Sequence, residues 1–476
     1  MLTPPPPFPR VPRAVSERAL VALARALGDS AVSDDAEVCG RYARDESEAV
    51  ADAPDGVVFA RSAEDIVETL RIASEIGVPV TPRAGGTGKT GGAVPVAGGI
   101  VLLTEGLKSI KEIDRRDLVA VVEPGVLLGD LHAACEAEGL FYPPDPSSWA
   151  TCCLGGNLAE NAGGPRAVKY GVTRDYVLGL ETVLMGGERL RVGRRTSKGV
   201  TGYDLTALLV GSEGTLGVFT EATLRLIPLP PETATLLAHF RDVRAAGEAV
   251  SALTAAGIVP RCAELLDGHT LAAVRSGGVP VDEAAGAVLL LEVDGTAAVV
   301  EHDRERVGNA CTDSGAFSVL VAANAAQRDR LWAARRGMSP ALRKLARFKL
   351  SEDVVVPRSR IVDLLDHVAR ISVETGIRMP AYGHAGDGNF HVNFLWDDPG
   401  ETETVDRAIL ALFRAVMTLR GTLSGEHGIG VLKAPYLGLE QSPGLIDLQL
   451  RVKQAFDPRG LLNPGKIFAP ALHRTC

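Results

Sequence analysis

Apolar residues recur at helical spacing from Ser16 to Leu27, and after a loop Gly56-Val-Val-Phe-Ala60 forms the short apolar run of a buried strand. Ser62-Ala-Glu-Asp65 then offers a capping hydroxyl followed by acidic first-turn residues, so a helix is expected through Val67 to Ile76, with Gly77 ending it. Further strands are expected at Val78 to Thr81, Ile100 to Leu103, Leu118 to Val122 and Gly179 to Met185, with more from Val210 to Ile227. Strand–helix–strand order opens the chain as an α/β unit, yet the first half as a whole reads α+β. Pro228 to Pro231 makes a natural break. Beyond it, Ala245 to Ala255, Ala287 to Glu292 and Ile361 to Ile371 alternate between helical and strand-like patterns, which suggests a second α+β domain. The tail, rich in glycine and proline, is expected to pack back on the first domain. The expected layout is 1–228, 229–420 and 421–476, with no internal repeat.

A chain of 476 residues exceeds what one core serves at roughly 150 residues per domain. Its 23% charged and 46% hydrophobic residues describe an ordinary globular protein rather than a disordered one. The net charge of -9 and the interrupted basic run Arg191 to Arg195 argue against nucleic acid as a partner. Seven cysteines, an odd number without a Cys-x-x-Cys pair, argue against a disulfide framework or a thiolate cluster and for a reducing compartment. Pro4 to Pro7, Arg10 and Arg13 lack the apolar core of a signal peptide, and no apolar run approaches ~20 residues. The expected location is cytoplasmic, with any membrane association peripheral, at the inner face.

Arg83-Ala-Gly-Gly-Thr-Gly-Lys-Thr-Gly-Gly92 contains both Gly-x-Gly-x-x-Gly and a Gly-Lys-Thr that evokes an ATP-binding P-loop. A P-loop needs glycine where Arg83 stands, and both motifs need a helix to follow. Ala93-Val-Pro-Val-Ala-Gly-Gly99 cannot supply one. What remains is a loop whose bare amides surround an anion, a pyrophosphate cradle without a helix; the plainer alternative is a flexible surface turn.

A second motif carries metal chemistry. In Gly383-His-Ala-Gly-Asp-Gly-Asn-Phe-His391, His384 and His391 flank a tight-turn sequence that folds the two imidazoles together, ready for zinc or a similar divalent ion. Ser424-Gly-Glu-His-Gly-Ile-Gly430 offers a carboxylate, Glu426, beside His427. On an extended backbone these neighbours point to opposite sides, so Glu426 can face the metal while His427 faces the substrate. Two turn-flanking histidines satisfied by ordinary hydrogen bonds are the plainer alternative.

Pro82 to Pro95 resembles the FAD-pyrophosphate loop of the vanillyl-alcohol-oxidase-like (PCMH-type) flavoproteins. Pro143-Pro-Asp-Pro-Ser-Ser148, Gly155-Gly-Asn157, Asn161-Ala-Gly-Gly164, Lys169-Tyr-Gly171, Gly211 to Gly217 and Phe456 to Lys466 follow in that family's order. They resemble the branch of glycolate oxidase D subunits, D-lactate dehydrogenases and D-2-hydroxyglutarate dehydrogenases. Ala84 stands where glycine is usual, and Lys89-Thr90 where Leu-Ser is usual. The resemblance implies an α+β fold: a two-lobed FAD-binding domain with a substrate-side cap of the FAD-linked oxidase C-terminal type.

It also implies FAD contacts at Arg83, Ala84, Gly85, Gly86, Thr87, Gly88, Lys89, Thr90 and Gly91, at Pro146, Ser147, Gly155, Gly156, Asn157, Asn161, Gly163 and Gly164, and at Glu213, Gly214, Gly217 and Asn463. His384, His391 and Glu426 match the family's ligands for a divalent metal, zinc or manganese, and His427 its base. Arg335 matches a position facing the substrate carboxylate, although Arg336, Arg343 and Lys349 nearby would equally suit a solvated helix face. Asp353 suits either a strand end or the site. The implied activity is FAD-dependent oxidation of a D-2-hydroxy acid to the 2-oxo acid, with electrons passed to a quinone, carrier protein or partner subunit. A homo-oligomer is compatible with this. The competing readings are a metal-free FAD alcohol oxidase of the same fold and a nucleotide-binding ATPase.

Overall fold

A computed structural model describes residues 9–49, 51–276 and 281–468, so the Pro4 to Pro7 run and Cys476 lie outside the described residues. The chain divides into two compact units, one of residues 163–171 and 230–425, the other of described residues 9–162, 172–229 and 426–468.

The second of these carries the glycine loop. Its first sheet runs in the order Val32–Ser33, Gly56–Phe59, Ile100–Leu103, Val80–Arg83, and the last three strands are parallel. Helices Arg13–Leu27 and Ala63–Ile76 bury Leu20, Leu23, Ile66 and Leu70 in one core with Val58, Val80, Ile100 and Leu102. Ser62 caps the second helix by accepting from the Asp65 amide, and Gly77 ends it at φ 86°. A five-stranded antiparallel sheet follows, ordered Ile110–Asp114, Val119–Val122, Val218–Arg225, Val177–Val183, Arg189–Gly193.

Two expectations needed revision. The stretch Val210 to Ile227 is strand only at Val218–Arg225 and Ile227–Pro228, because Gly211, Glu213 and Gly214 take positive φ and turn the chain first. The tail is more than glycine and proline: it holds the 14-residue helix Pro443–Phe456, capped by Ser442, with Ile446 and Leu450 packed on Leu437 and Phe468.

The other unit is a seven-stranded antiparallel sheet. Its order is Ser318–Val321, Glu232–Phe240, Ala287–Gly295, Cys262–Asp267, Ala381–His384, Asn389–Trp396, Phe348–Val355. Cys262–Asp267 and Asn389–Trp396 are buried along their whole length, so any charged side chain they carry must find its partners inside the protein. Residues 163–171 join this unit through Asp294, which is buried and takes Tyr170 Oη at 2.7 Å, Arg261 Nη1 at 3.1 Å and the Lys169 ammonium. No helix among the described residues is long and apolar enough to cross a membrane.

Candidate active site

Strands Ala381–His384 and Asn389–Trp396 form a hairpin in which His384 pairs with Asn389 and Tyr382 with His391. His384 and His391 are therefore diagonal neighbours on one face of the sheet, both buried, with ring centroids 5.5 Å apart. The turn depends on Gly388, which sits at φ 87° where a Cβ would collide with the Val356 carbonyl oxygen. Glu426 follows Gly425, the last residue of this unit, by one peptide bond. One ligand atom from each of His384, His391 and Glu426 lies within 4.8 Å of the others. Two imidazoles and a carboxylate are a donor set that suits zinc or a similar divalent ion.

Strand Cys262–Asp267 lies beside the hairpin and places Glu264 opposite His384. The Glu264 carboxylate is fully buried, with Oε1 2.6 Å from His384 Nδ1 and Oε2 accepting from Arg335 Nε at 2.6 Å. Arg335 Nη2 is 2.5 Å from the same oxygen. Burial works to raise the Glu264 carboxyl, but the Arg335 charge and the hydrogen bonds from Arg335 and His384 outweigh it and hold it below its ordinary value. Arg335 is only 4% exposed, so it is not part of a solvated helix face, and its guanidinium carbon stands 4.8 Å from the centre of the Tyr382 ring. Sequence reasoning missed Glu264. The signal was available: a glutamate within the apolar run Cys262 to Leu266 is a buried carboxylate in need of a partner.

Asp353 ties the hairpin to the segment that precedes Glu426. It is fully buried in strand Phe348–Val355, where Oδ1 accepts from Asn389 Nδ2 at 2.6 Å and Oδ2 accepts from the Gly425 amide at 2.8 Å and Ser424 Oγ at 2.9 Å. It thus fixes the backbone leading into Glu426. The expected alternation of Glu426 and His427 does not occur. Residues 424–427 form no strand, Gly428 turns the chain at φ 78°, and His427 Nε2 lies 3.9 Å from Glu426 Oε1.

The glycine loop leaves strand Val80–Arg83 and reaches Ile100–Leu103 without a helix. Gly86 and Gly91 adopt φ 66° and 87°, and a Cβ on Gly86 would strike the Arg83 guanidinium. A Cβ on Gly85 would press on the Thr151 carbonyl at 3.1 Å, one on Gly155 on Pro124 at 2.8 Å, and one on Gly217 would collide with Thr182 Oγ1. Lys89 turns out to Glu46 instead of inward, whereas Thr90 Oγ1 donates to the His427 carbonyl at 3.0 Å. Pro146 and Ser147 lie in a turn closed by the Trp149 amide on the Pro146 carbonyl at 2.8 Å. Gly156 and Asn157 are in the short helix Leu154–Glu160, capped by Asn161 at φ 54°. Gly163 and Gly164 belong to the other unit.

Glu213 and Asn463 brace these loops with their side chains. Glu213 accepts from the Ile429 and Gly430 amides at 2.8 and 2.6 Å, and Asn463 Nδ2 donates to the Glu213 and Gly92 carbonyls at 2.7 and 3.0 Å. Lys466 Nζ donates to the Val94 carbonyl at 2.7 Å; burial pushes this amine down to about 7, against the opposing pull of Asp45 and Glu213. Buried Arg83 Nε and Ser212 Oγ lack a hydrogen-bond partner among the described residues. Bare backbone and orphaned polar atoms in one set of loops fit the pyrophosphate of a dinucleotide such as FAD.

Residues 54–193 match the family described as FAD binding domain, and residues 229–467 match FAD linked oxidases, C-terminal domain. The glycolate oxidase subunit GlcD of Bacillus subtilis (strain 168) is 44% identical over 419 residues, covering 87% of this chain and 89% of that protein. A D-lactate dehydrogenase of Anaerostipes hadrus is 35% identical over 430 residues, covering 87% and 89%. Among solved structures, p-cresol methylhydroxylase with substrate bound matches at TM-score 0.82 and 18% identity over 96% of this chain and 97% of that one, which speaks to the fold alone. The chain belongs to the FAD-linked oxidases of the PCMH-type flavoprotein fold. It is an FAD-dependent oxidoreductase, as the resemblance implied.

Proposed function

We propose that the protein oxidises a D-2-hydroxy acid of the lactate, glycolate or 2-hydroxyglutarate type to the 2-oxo acid, with a divalent metal, zinc or manganese, at His384, His391 and Glu426. The observation that carries this reading is the convergence of those three ligand atoms within 4.8 Å, two of them from one β-hairpin and the third from the loop that follows Gly425. Relatives named glycolate oxidase subunit and D-lactate dehydrogenase support the substrate class.

A divalent metal held by His384, His391 and Glu426 would lower the pKa of the substrate's 2-hydroxyl, and FAD held by the glycine cradle would supply the hydride acceptor. His427, partly buried at 18% side-chain exposure, takes the hydroxyl proton on its imidazole. Arg335 meets the substrate carboxylate with donors that Glu264 does not engage. The electrons would pass on to a quinone, a carrier protein or a partner subunit, in the cytoplasm or at the inner face of the membrane, and the chain is compatible with homo-oligomerisation.

The test is anaerobic flavin bleaching with D- and L-2-hydroxy acids before and after chelation. Rapid bleaching by a D-acid, lost with chelator and restored by zinc or manganese, is expected. Bleaching that survives full metal removal would transfer the reaction to the metal-free alcohol-oxidising alternative.

A further inference from the structure

The metal reading leaves unexplained why a fully buried carboxylate stands behind one of the histidines. Glu264 sits in the middle of a strand that is buried along its length, directly across from His384 in the sheet register. Desolvating a carboxylate is costly unless it is paired and hydrogen-bonded, and both its oxygens are engaged: Oε1 at 2.6 Å from His384 Nδ1, Oε2 at 2.6 Å from Arg335 Nε.

We propose that Glu264 is a positioning residue that locks His384 in the tautomer presenting Nε2 and ties that imidazole to Arg335. The proposal rests on the reading of His384, His391 and Glu426 as metal ligands. A carboxylate clamped by a guanidinium can only accept, so the proton between Glu264 and His384 resides on Nδ1, and the lone pair is left on Nε2. Arg335 prevents the carboxylate from rotating away. The same guanidinium lies over Tyr382, whose ring centre is 5.3 Å from that of His391, so both histidines lean on one Arg–Glu pair.

Glu264→Gln keeps the shape and changes the logic. Arg335 offers only donors, so the new amide turns its carbonyl oxygen to the guanidinium and its NH2 to His384 Nδ1. Nδ1 then accepts, and the imidazole proton moves to Nε2, the ligand nitrogen. The measurement is zinc affinity of the FAD-loaded chain by competition with a chromogenic chelator, together with 15N-histidine NMR of the metal-free chain. The His384 signal is assigned by its loss in His384→Ala. Expected results are an Nδ1–H tautomer for His384 in the wild type, an Nε2–H tautomer in Glu264→Gln, and zinc binding weakened by about 10–100-fold in that variant. If wild type and His384→Ala bind zinc equally, the metal reading itself falls. If wild type binds tightly, His384→Ala does not, and Glu264→Gln matches wild type in affinity and tautomer, the positioning role of Glu264 falls while the metal reading stands. Should Glu264→Gln fail to fold, an Nε2–H tautomer for His384 in the wild type overturns the inference by itself.

Discussion

The glycine cradle and the histidine cluster use opposite parts of the polypeptide. In the cradle, the backbone is the working surface: side chains such as Glu213, Asn463 and Lys466 bind loop to loop, and glycines clear the approach. In the cluster, side chains are the working surface, and Glu264, Asp353 and Asn389 fix the elements that carry them. The difference follows from the ligands each suits. A pyrophosphate is satisfied by many weak amide dipoles, whereas a metal ion needs a few lone pairs aimed at one point, which a sheet delivers better than a loop.

If the two regions are separable in this way, His391→Ala should abolish turnover and leave FAD content intact. A loss of several kcal/mol of metal assistance corresponds to a fall on the order of 10³-fold in the anaerobic bleaching rate. Loss of flavin absorbance per chain in the same variant would break the comparison.

Glu213→Ala should do the reverse. Removing the acceptor strands the buried Gly430 amide, at a cost of about 1–3 kcal/mol for an unsatisfied buried group, and the part-buried Ile429 amide at less. The variant is expected to release FAD on dilution while the metal-free chain keeps its zinc affinity. Gly388→Ala tests the sheet: the left-handed φ and the collision with Val356 predict about 1–3 kcal/mol lost in chemical unfolding, together with weaker zinc binding.

The smallest expected effect is one of pH. Lys466 titrates near 7 in the folded chain and at its ordinary 10.5 when unfolded, so the unfolded chain binds more protons between those values. The stability contributed by this site is present above 10.5 and is lost as pH falls toward 7. The wild-type unfolding midpoint minus that of Lys466→Met should therefore increase as pH rises from about 7 to about 9. A difference that shrinks over that range would show that Lys466 is charged in the fold.

What could be read from sequence divides along the same line. The cradle was legible because its chemistry is local: a strand, dense glycine and a stretch unable to form a helix lie within 22 residues, Val78 to Gly99. His384 and His391 were legible because one turn separates them. Glu264 is 120 residues from His384 and 71 from Arg335, and only strand register joins them, which no spacing rule reveals. The Glu426–His427 orientation failed for a different reason: period-two alternation holds for strands, and a glycine at positive φ removes the strand.

Asp294 has a consequence for anyone who would exchange specificities between relatives. Because Lys169 and Tyr170 are its partners, the unit built on the seven-stranded sheet is not the contiguous stretch 230–425 but that stretch plus the short excursion 163–171. A graft cut only at the proline-rich break would move Asp294 without the Lys169 and Tyr170 that it binds. A chimera of this chain therefore needs two segments to be moved together, 163–171 and 230–425.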